Sequence, residues 1–363
     1  MAVAHRRRAV LACSVASAIA LAACGGTYGG KPLEHPRAMT GGIEAAALPY
    51  QIVDARTGKS VDEPALWTRL TAARAVCVGE EHPNPHHHWV QLHVVRELIK
   101  RLPKGTKLAL AMEMFQRPFQ NVLDEYAARR ITAEQLRTRS GYAARWGYDY
   151  DFYGPTIDAA VGAGAQLLAA NAPKELTKKI VHHGLASLTP EEKAQVPELK
   201  LDDAAHRAWF DALMEDMGGA SAHSQKPDGD KADAPEPASP PASDAAPKHG
   251  DDDATDMPSA DQVYMIQVIW DETMADTAAR WLAANPTGHV VLLAGNGHCH
   301  DSAIVHRLQR RGIADTLSLR AIIDDDEGSV SAALAKPIND YIFILQLPAA
   351  SKPDAAPGEA DKK

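Results

Sequence analysis

The stretch that decides the fold runs from Ala75 to Arg96 and reads AVCVGEEHPNPHHHWVQLHVVR. Ala75 to Val78 is a short apolar run of the kind that forms a strand covered on both faces. Gly79-Glu80-Glu81-His82 turns the chain off that strand. Asn84 then stands where a helix cap is needed, and Pro85 suits the first turn, where its missing N–H leaves nothing unpaired. Along that helix His86, Trp89 and His93 share one stripe. Acid and imidazole groups therefore crowd the carboxyl end of a strand, which in open α/β sheets is the edge where loops converge on a ligand crevice.

Working outward, further apolar runs end the same way. Lys107 to Met112 leads into Glu113, Ala165 to Ala170 ends at Asn171-Ala172-Pro173, and His289 to Ala294 ends at Gly295-Asn296-Gly297-His298. Thr316 to Ile323 and Tyr341 to Leu347 follow. Continuous apolar runs separated by helical segments predict an α/β fold with a mostly parallel central sheet and flanking helices. The intervening segments, about 116–158 and 173–217, are long for crossovers and predict a smaller helical cap lobe over the strand carboxyl ends. The first of them carries an aromatic cluster: Tyr142, Trp146, Tyr148, Tyr150, Phe152 and Tyr153.

The ends of the 363-residue chain differ from its middle. Residues 1–23 read as a signal peptide, with three arginines before a short Ala/Leu/Val run too short to span a bilayer. Leu21-Ala22-Ala23-Cys24 has the form of a lipoprotein box, so Cys24 is expected to carry a lipid and 24–47 to be a tether, with no spanning helix. Gly25 in place of Asp favours the outer membrane. The α/β domain is expected over 48–348, interrupted at about 218–260 by an acidic Pro/Ala/Asp-rich insert whose composition predicts disorder, as does that of 349–363. A net charge of −9 argues against nucleic acid as a partner.

The two Gly-x-x-His ends, at Gly79/His82 and Gly295/His298, are the strongest chemical signal. With Glu81 and Glu113 they offer two imidazoles and two carboxylates, a set suited to general acid–base work or, as His82, Glu113 and His298, to Zn, Mn or Fe. His86, His87 and His88 point in three directions, so at most one joins His82, and His93 reads as a core histidine. Gly295-x-Gly297 lacks the third glycine of a dinucleotide fingerprint, and neither a Gly-x-Ser-x-Gly elbow nor a P-loop is present. With Cys13 removed and Cys24 lipidated, Cys77 and Cys299 are expected to be packed residues and not a disulfide framework. A soft metal ligand is the alternative for Cys299.

GEEHPNPHHH, the AMEMF strand end, YGP…AQLLAANAPKELTKK and LLAGNGHCH together resemble the ChaN-type haem-binding lipoproteins. These are a branch of the Tiki superfamily, which also holds Tiki peptidases, TraB proteins and erythromycin esterase-like enzymes. The resemblance implies haem bound between two subunits with a tyrosine on each iron, and a histidine and lysine near the propionates. It suggests Tyr153, Tyr150 or Tyr148 as iron ligand and Lys174 and His182 as propionate partners. It further implies iron or haem acquisition in the cell envelope, a haem-linked homodimer and an outer-membrane haem receptor as partner. The alternative is a metal-dependent hydrolase, a peptidase or esterase, using Glu81, His82, Glu113 and His298.

Overall fold

The computed structural model describes residues 42–222, 259–324 and 328–348. The expected signal peptide, Cys24, most of the tether, most of the acidic insert and the tail lie outside the described residues. Eight strands form one sheet: β1 (Tyr50–Asp54), β2 (Lys59–Ser60), β3 (Ala75–Glu80), β4 (Leu108–Gln116), β5 (Gln166–Asn171), β6 (His289–Gly295), β7 (Thr316–Asp324) and β8 (Tyr341–Gln346). Their order is β2-β1-β8-β7-β3-β6-β4-β5. The six strands from β8 to β5 run parallel, and the β1–β2 hairpin closes one edge antiparallel to β8. The fold is thus the mostly parallel α/β sheet that the apolar runs predict.

The helices are α1 (Glu63–Ala72), α2 (Pro85–Arg101), α3 (Gln120–Ala127), α4 (Ala133–Arg139), α5 (Tyr142–Arg145), α6 (Gly154–Gly162), α7 (Lys174–His183), α8 (Pro190–Lys193), α9 (Ala204–Ala222), α10 (Ala260–Ala284), α11 (His306–Arg310) and α12 (Ser329–Ala335). Asn84 caps α2 by accepting from the His86 N–H at 3.1 Å, as the sequence requires. The two-residue period of the strands separates two cores. Val76, Val78, Leu110, Met112, Val291 and Leu293 face α1, α2 and α6. Ala75, Cys77, Ala109, Ala111, Val290 and Leu292 face α10 through Met274, Ala278 and Leu282. Small residues on this second face let the long α10 lie close to the sheet.

Pairing of β3 with β6 sets Glu80 against Gly295 and Gly79 against Ala294. The two Gly-x-x-His ends are therefore neighbours at the carboxyl edge. The Asn296 N–H donates to the Glu80 carbonyl at 2.8 Å. A Cβ on Gly79 would lie 2.5 Å from Asn296 Oδ1, so only glycine admits this approach. Below that contact Cys77 and Cys299 form a disulfide, Cα to Cα 5.3 Å, across 222 residues of chain. This corrects the expectation of two separately packed cysteines. β6 lies beside β3 despite its distance in sequence, and the turn after Gly295 folds Cys299 back over Cys77.

Candidate functional site

Two buried polar clusters occupy the carboxyl edge, one on each face of the sheet. On the α2 face, His82 is 2% exposed and its Nδ1 is 2.5 Å from Glu80 Oε1. The Tyr153 hydroxyl donates weakly to the same oxygen at 3.4 Å. His88 Nε2 donates to the His82 carbonyl at 2.9 Å, so it is the one member of the triple histidine that joins His82. His87 accepts from the Glu81 N–H and His86 bonds to the Ala46 carbonyl. His93 packs against Trp89 and meets the Tyr50 hydroxyl at 3.0 Å, a satisfied histidine as expected.

On the α10 face, the His298 imidazole lies between two carboxylates. Its Nδ1 is 2.6 Å from Asp271 Oδ1 and its Nε2 3.3 Å from Glu113 Oε1. Glu113 also accepts from the Gly295 N–H at 2.8 Å. Asp271 is further approached by His206 from α9 at 3.2 Å and by Arg307 from α11 at 3.7 Å. Burial alone would raise both acids, but the facing cations outweigh it. The Glu113 carboxyl sits below its ordinary value chiefly through His298, and that of Asp271 through Arg307 and His298.

Strand parity divides the expected metal set His82, Glu113 and His298 between different closest partners, Glu80 for His82 and Glu113 for His298, although Glu113 stays within electrostatic reach of His82. Glu80 continues the Val76/Val78 side of β3, whereas Glu113 continues the Ala109/Ala111 side of β4. Each histidine turns to the carboxylate on its own face. Among the described residues no group of three or more His, Cys, Asp or Glu side chains is disposed to hold a metal ion. Glu81 borders the α2-face cluster, within electrostatic reach of Glu80 and His82. It is half-buried, bonded to Asn84 at 3.4 Å, and burial pushes its carboxyl up to about 7. Glu80, Asp271, His206 and Arg307 were not singled out from sequence. The Asp271-Glu272 pair inside the otherwise apolar α10 was a usable signal, because buried charges need partners.

The aromatic segment closes over the α2-face cluster. The Trp146 and Tyr148 rings each lie 4.7 Å from the His82 ring. Tyr142, Tyr150 and Tyr153 are buried in the main core, and burial drives all three phenols above their ordinary range. Tyr148 is half-buried and opens, with Tyr142 and Tyr150, onto a surface cleft of about 570 Å³. Arg137 from α4 lines the same cleft. Lys174 is exposed at the start of α7, where its N–H donates to Gln116 Oε1 at 3.1 Å. Arg145 spans from that same Gln116 to Glu175, both at 2.7 Å, which ties α7 to the aromatic segment. His182 is exposed near the far end of α7, about 12 Å along the helix from Lys174 at the usual rise.

The chain is an open, mostly parallel α/β sheet with polar strand ends under an aromatic lobe. It belongs to the family described as haem-binding uptake proteins of the Tiki superfamily, ChaN, which it matches over residues 66–308. The fold agrees with the structure of ChaN of Campylobacter jejuni, described as binding haem cofacially. The TM-score is 0.57 at 16% identity, covering 82% of this chain and 96% of that one. An erythromycin esterase mutant in its open conformation is more distant, with TM-score 0.38 and 13% identity over 76% of this chain and 77% of that one. In sequence, 136 residues are 27% identical to the chloroplastic protein RETICULATA-RELATED 5 of Arabidopsis thaliana. They make up 36% of this chain, which spans only 18% of that relative's length.

Proposed function

We propose that this protein is a lipid-anchored haem-binding protein of the cell envelope that serves haem or iron acquisition, with Tyr148 as the iron ligand.

 In this proposal the protein carries haem, is anchored through Cys24 and is not a hydrolase. The observation that supports it most is the half-buried phenol of Tyr148 at the mouth of an aromatic cleft, in a chain of a haem-binding family. Bound haem would supply a ferric iron, for which a phenolate oxygen is a suitable ligand. The residues present fit that group. The half-buried Tyr148 ring, backed by Trp146 at 5.6 Å, offers aromatic surface to a macrocycle, the edges of Tyr142 and Tyr150 line the cleft beside it, and Arg137 offers a cation at the rim. Tyr153 and Tyr150 fit less well as ligands, because each is buried and its phenol is held protonated by that burial. Lys174 remains a candidate for a propionate, and His182 would act only from a second subunit.

The disulfide supports the envelope reading independently of the leader sequence, since such bonds persist in oxidising compartments. Haem-linked homodimerisation and transfer to an outer-membrane receptor belong to the same proposal. The hydrolase reading has weaker support. His82 and His298 are 2% and 0% exposed, and both have buried carboxylate partners.

The test is a hemin titration of the mature protein and of Tyr148→Phe, following the Soret and visible bands together with sedimentation. Saturable binding, a changed visible spectrum in the variant and a haem-dependent gain in mass are expected. Absence of saturable binding by the wild type, or a variant with unchanged affinity and spectrum, would overturn the assignment.

A further inference from the structure

Arg137 differs from Arg139 and Arg145 of the same aromatic lobe. Arg139 pairs with Glu125 at 2.6 Å, and Arg145 pairs with Glu175 at 2.7 Å. Arg137 is exposed in the last turn of α4, and among the described residues its guanidinium makes no ion pair. It rests instead over the Tyr150 ring, 5.4 Å from the centroid. Glu134 stands three residues earlier on the same helix and lines the same cleft, yet does not pair with it. A planar guanidinium stacked on an aromatic face keeps its edge N–H groups available, and that edge matches a carboxylate in two-point fashion.

We infer that Arg137 binds a carboxylate of the ligand, so that the cleft selects planar tetrapyrroles bearing free carboxylates, with or without a metal at their centre. The inference rests on the haem reading of the cleft but is separable from it. Tyr148 would answer to the iron, whereas Arg137 would answer to the periphery of the macrocycle. The acidic neighbours Glu134 and Asp149 sharpen this selection, because they disfavour a carboxylate placed anywhere in the cleft except beside Arg137.

The test uses metal-free protoporphyrin IX and its dimethyl ester, with porphyrin fluorescence as the readout, on wild type, Arg137→Ala and Arg137→Lys. The wild type should bind the free acid about tenfold more tightly than the ester, the scale of one charge-assisted pair. Arg137→Ala should lose that preference while retaining ester binding, and Arg137→Lys should keep part of it. The free-acid preference of the wild type should also weaken as salt is raised. If Arg137→Ala keeps the wild-type ratio of acid to ester, the inference fails while the cleft assignment stands. If the wild type binds neither porphyrin, the cleft assignment fails and the inference falls with it. Because Arg137 is exposed and its ring contact with Tyr150 is a weak surface cation–π interaction, the variants are expected to melt close to the wild type.

Discussion

Removing the Cys77–Cys299 bond should cost more stability than any single contact at the carboxyl edge. The bond closes a loop of 222 residues. In the chain-entropy description that closure restricts the unfolded chain by about 5 kcal/mol at room temperature. Residual compactness of the unfolded chain reduces the figure, so the Cys77→Ala/Cys299→Ala variant should be about 3 to 5 kcal/mol less stable. The folded state should survive, because other contacts hold the Cys299 turn. Asn339 Nδ2 donates to the Cys299 carbonyl at 2.5 Å, the Asp301 N–H donates to the Ile338 carbonyl at 2.9 Å, and His298 keeps its bond to Asp271. Equilibrium unfolding in urea measures the loss. The variant should also show a steeper denaturant dependence, since its unfolded chain expands further. A loss below about 1 kcal/mol, or free thiols at both positions in the native oxidised protein, would refute the reasoning.

Two further expectations follow from the same edge. Gly79→Ala would set a Cβ 2.5 Å from Asn296 Oδ1, so it should destabilise by about 1 to 3 kcal/mol. Adding Asn296→Ala should recover part of that loss, and a thermal melt of Gly79→Ala equal to wild type would contradict the close approach. For pH, burial depresses His87 and His300 to about 3 and His289 to about 4, while it raises Glu81 to about 7. The depressed imidazoles contribute stability that is complete above the unfolded value and is lost as pH falls. The raised carboxyl contributes stability present in acid and lost as pH rises through about 7. Between about pH 4.5 and 6 these four groups together bind roughly two more protons in the unfolded chain, so stability should fall on acidification, by on the order of 3 kcal/mol per unit from these groups. Urea midpoints that are flat or rise on acidification in that range would contradict the sign.

The sheet was legible because its strands are covered on both faces. Apolar runs such as HVVLLA at His289 to Ala294 leave few alternatives once helices separate them. The order of the strands was not legible, and the disulfide depended on it. Cys77 and Cys299 become neighbours only because β6 inserts between β3 and β4. Adjacent strand pairing is decided by crossovers between distant segments, which periodicity within one segment does not encode.

The site was half legible for a related reason. The paired Gly-x-x-His ends marked the correct edge, and the register of β3 on β6 brings them together. Parity was the part not read from the sequence: Val76, Val78 and Glu80 share one side of β3, so Glu80 is the acid bonded to His82 and Tyr153, beside the expected Glu81. The same alternation puts Glu113 with His298 on the opposite face. One motif thus belongs to two chemically distinct environments. The His82 side is roofed by Trp146 and Tyr148 and leads to the open cleft. The His298 side is sealed by α9, α10 and α11 through His206, Asp271 and Arg307. A charged network closed in this way orders the packing of those helices on the sheet, since each buried charge keeps its place only while its partners do. On the other face the half-buried phenol of Tyr148 and Arg137, which makes no ion pair among the described residues, meet solvent together at the open cleft.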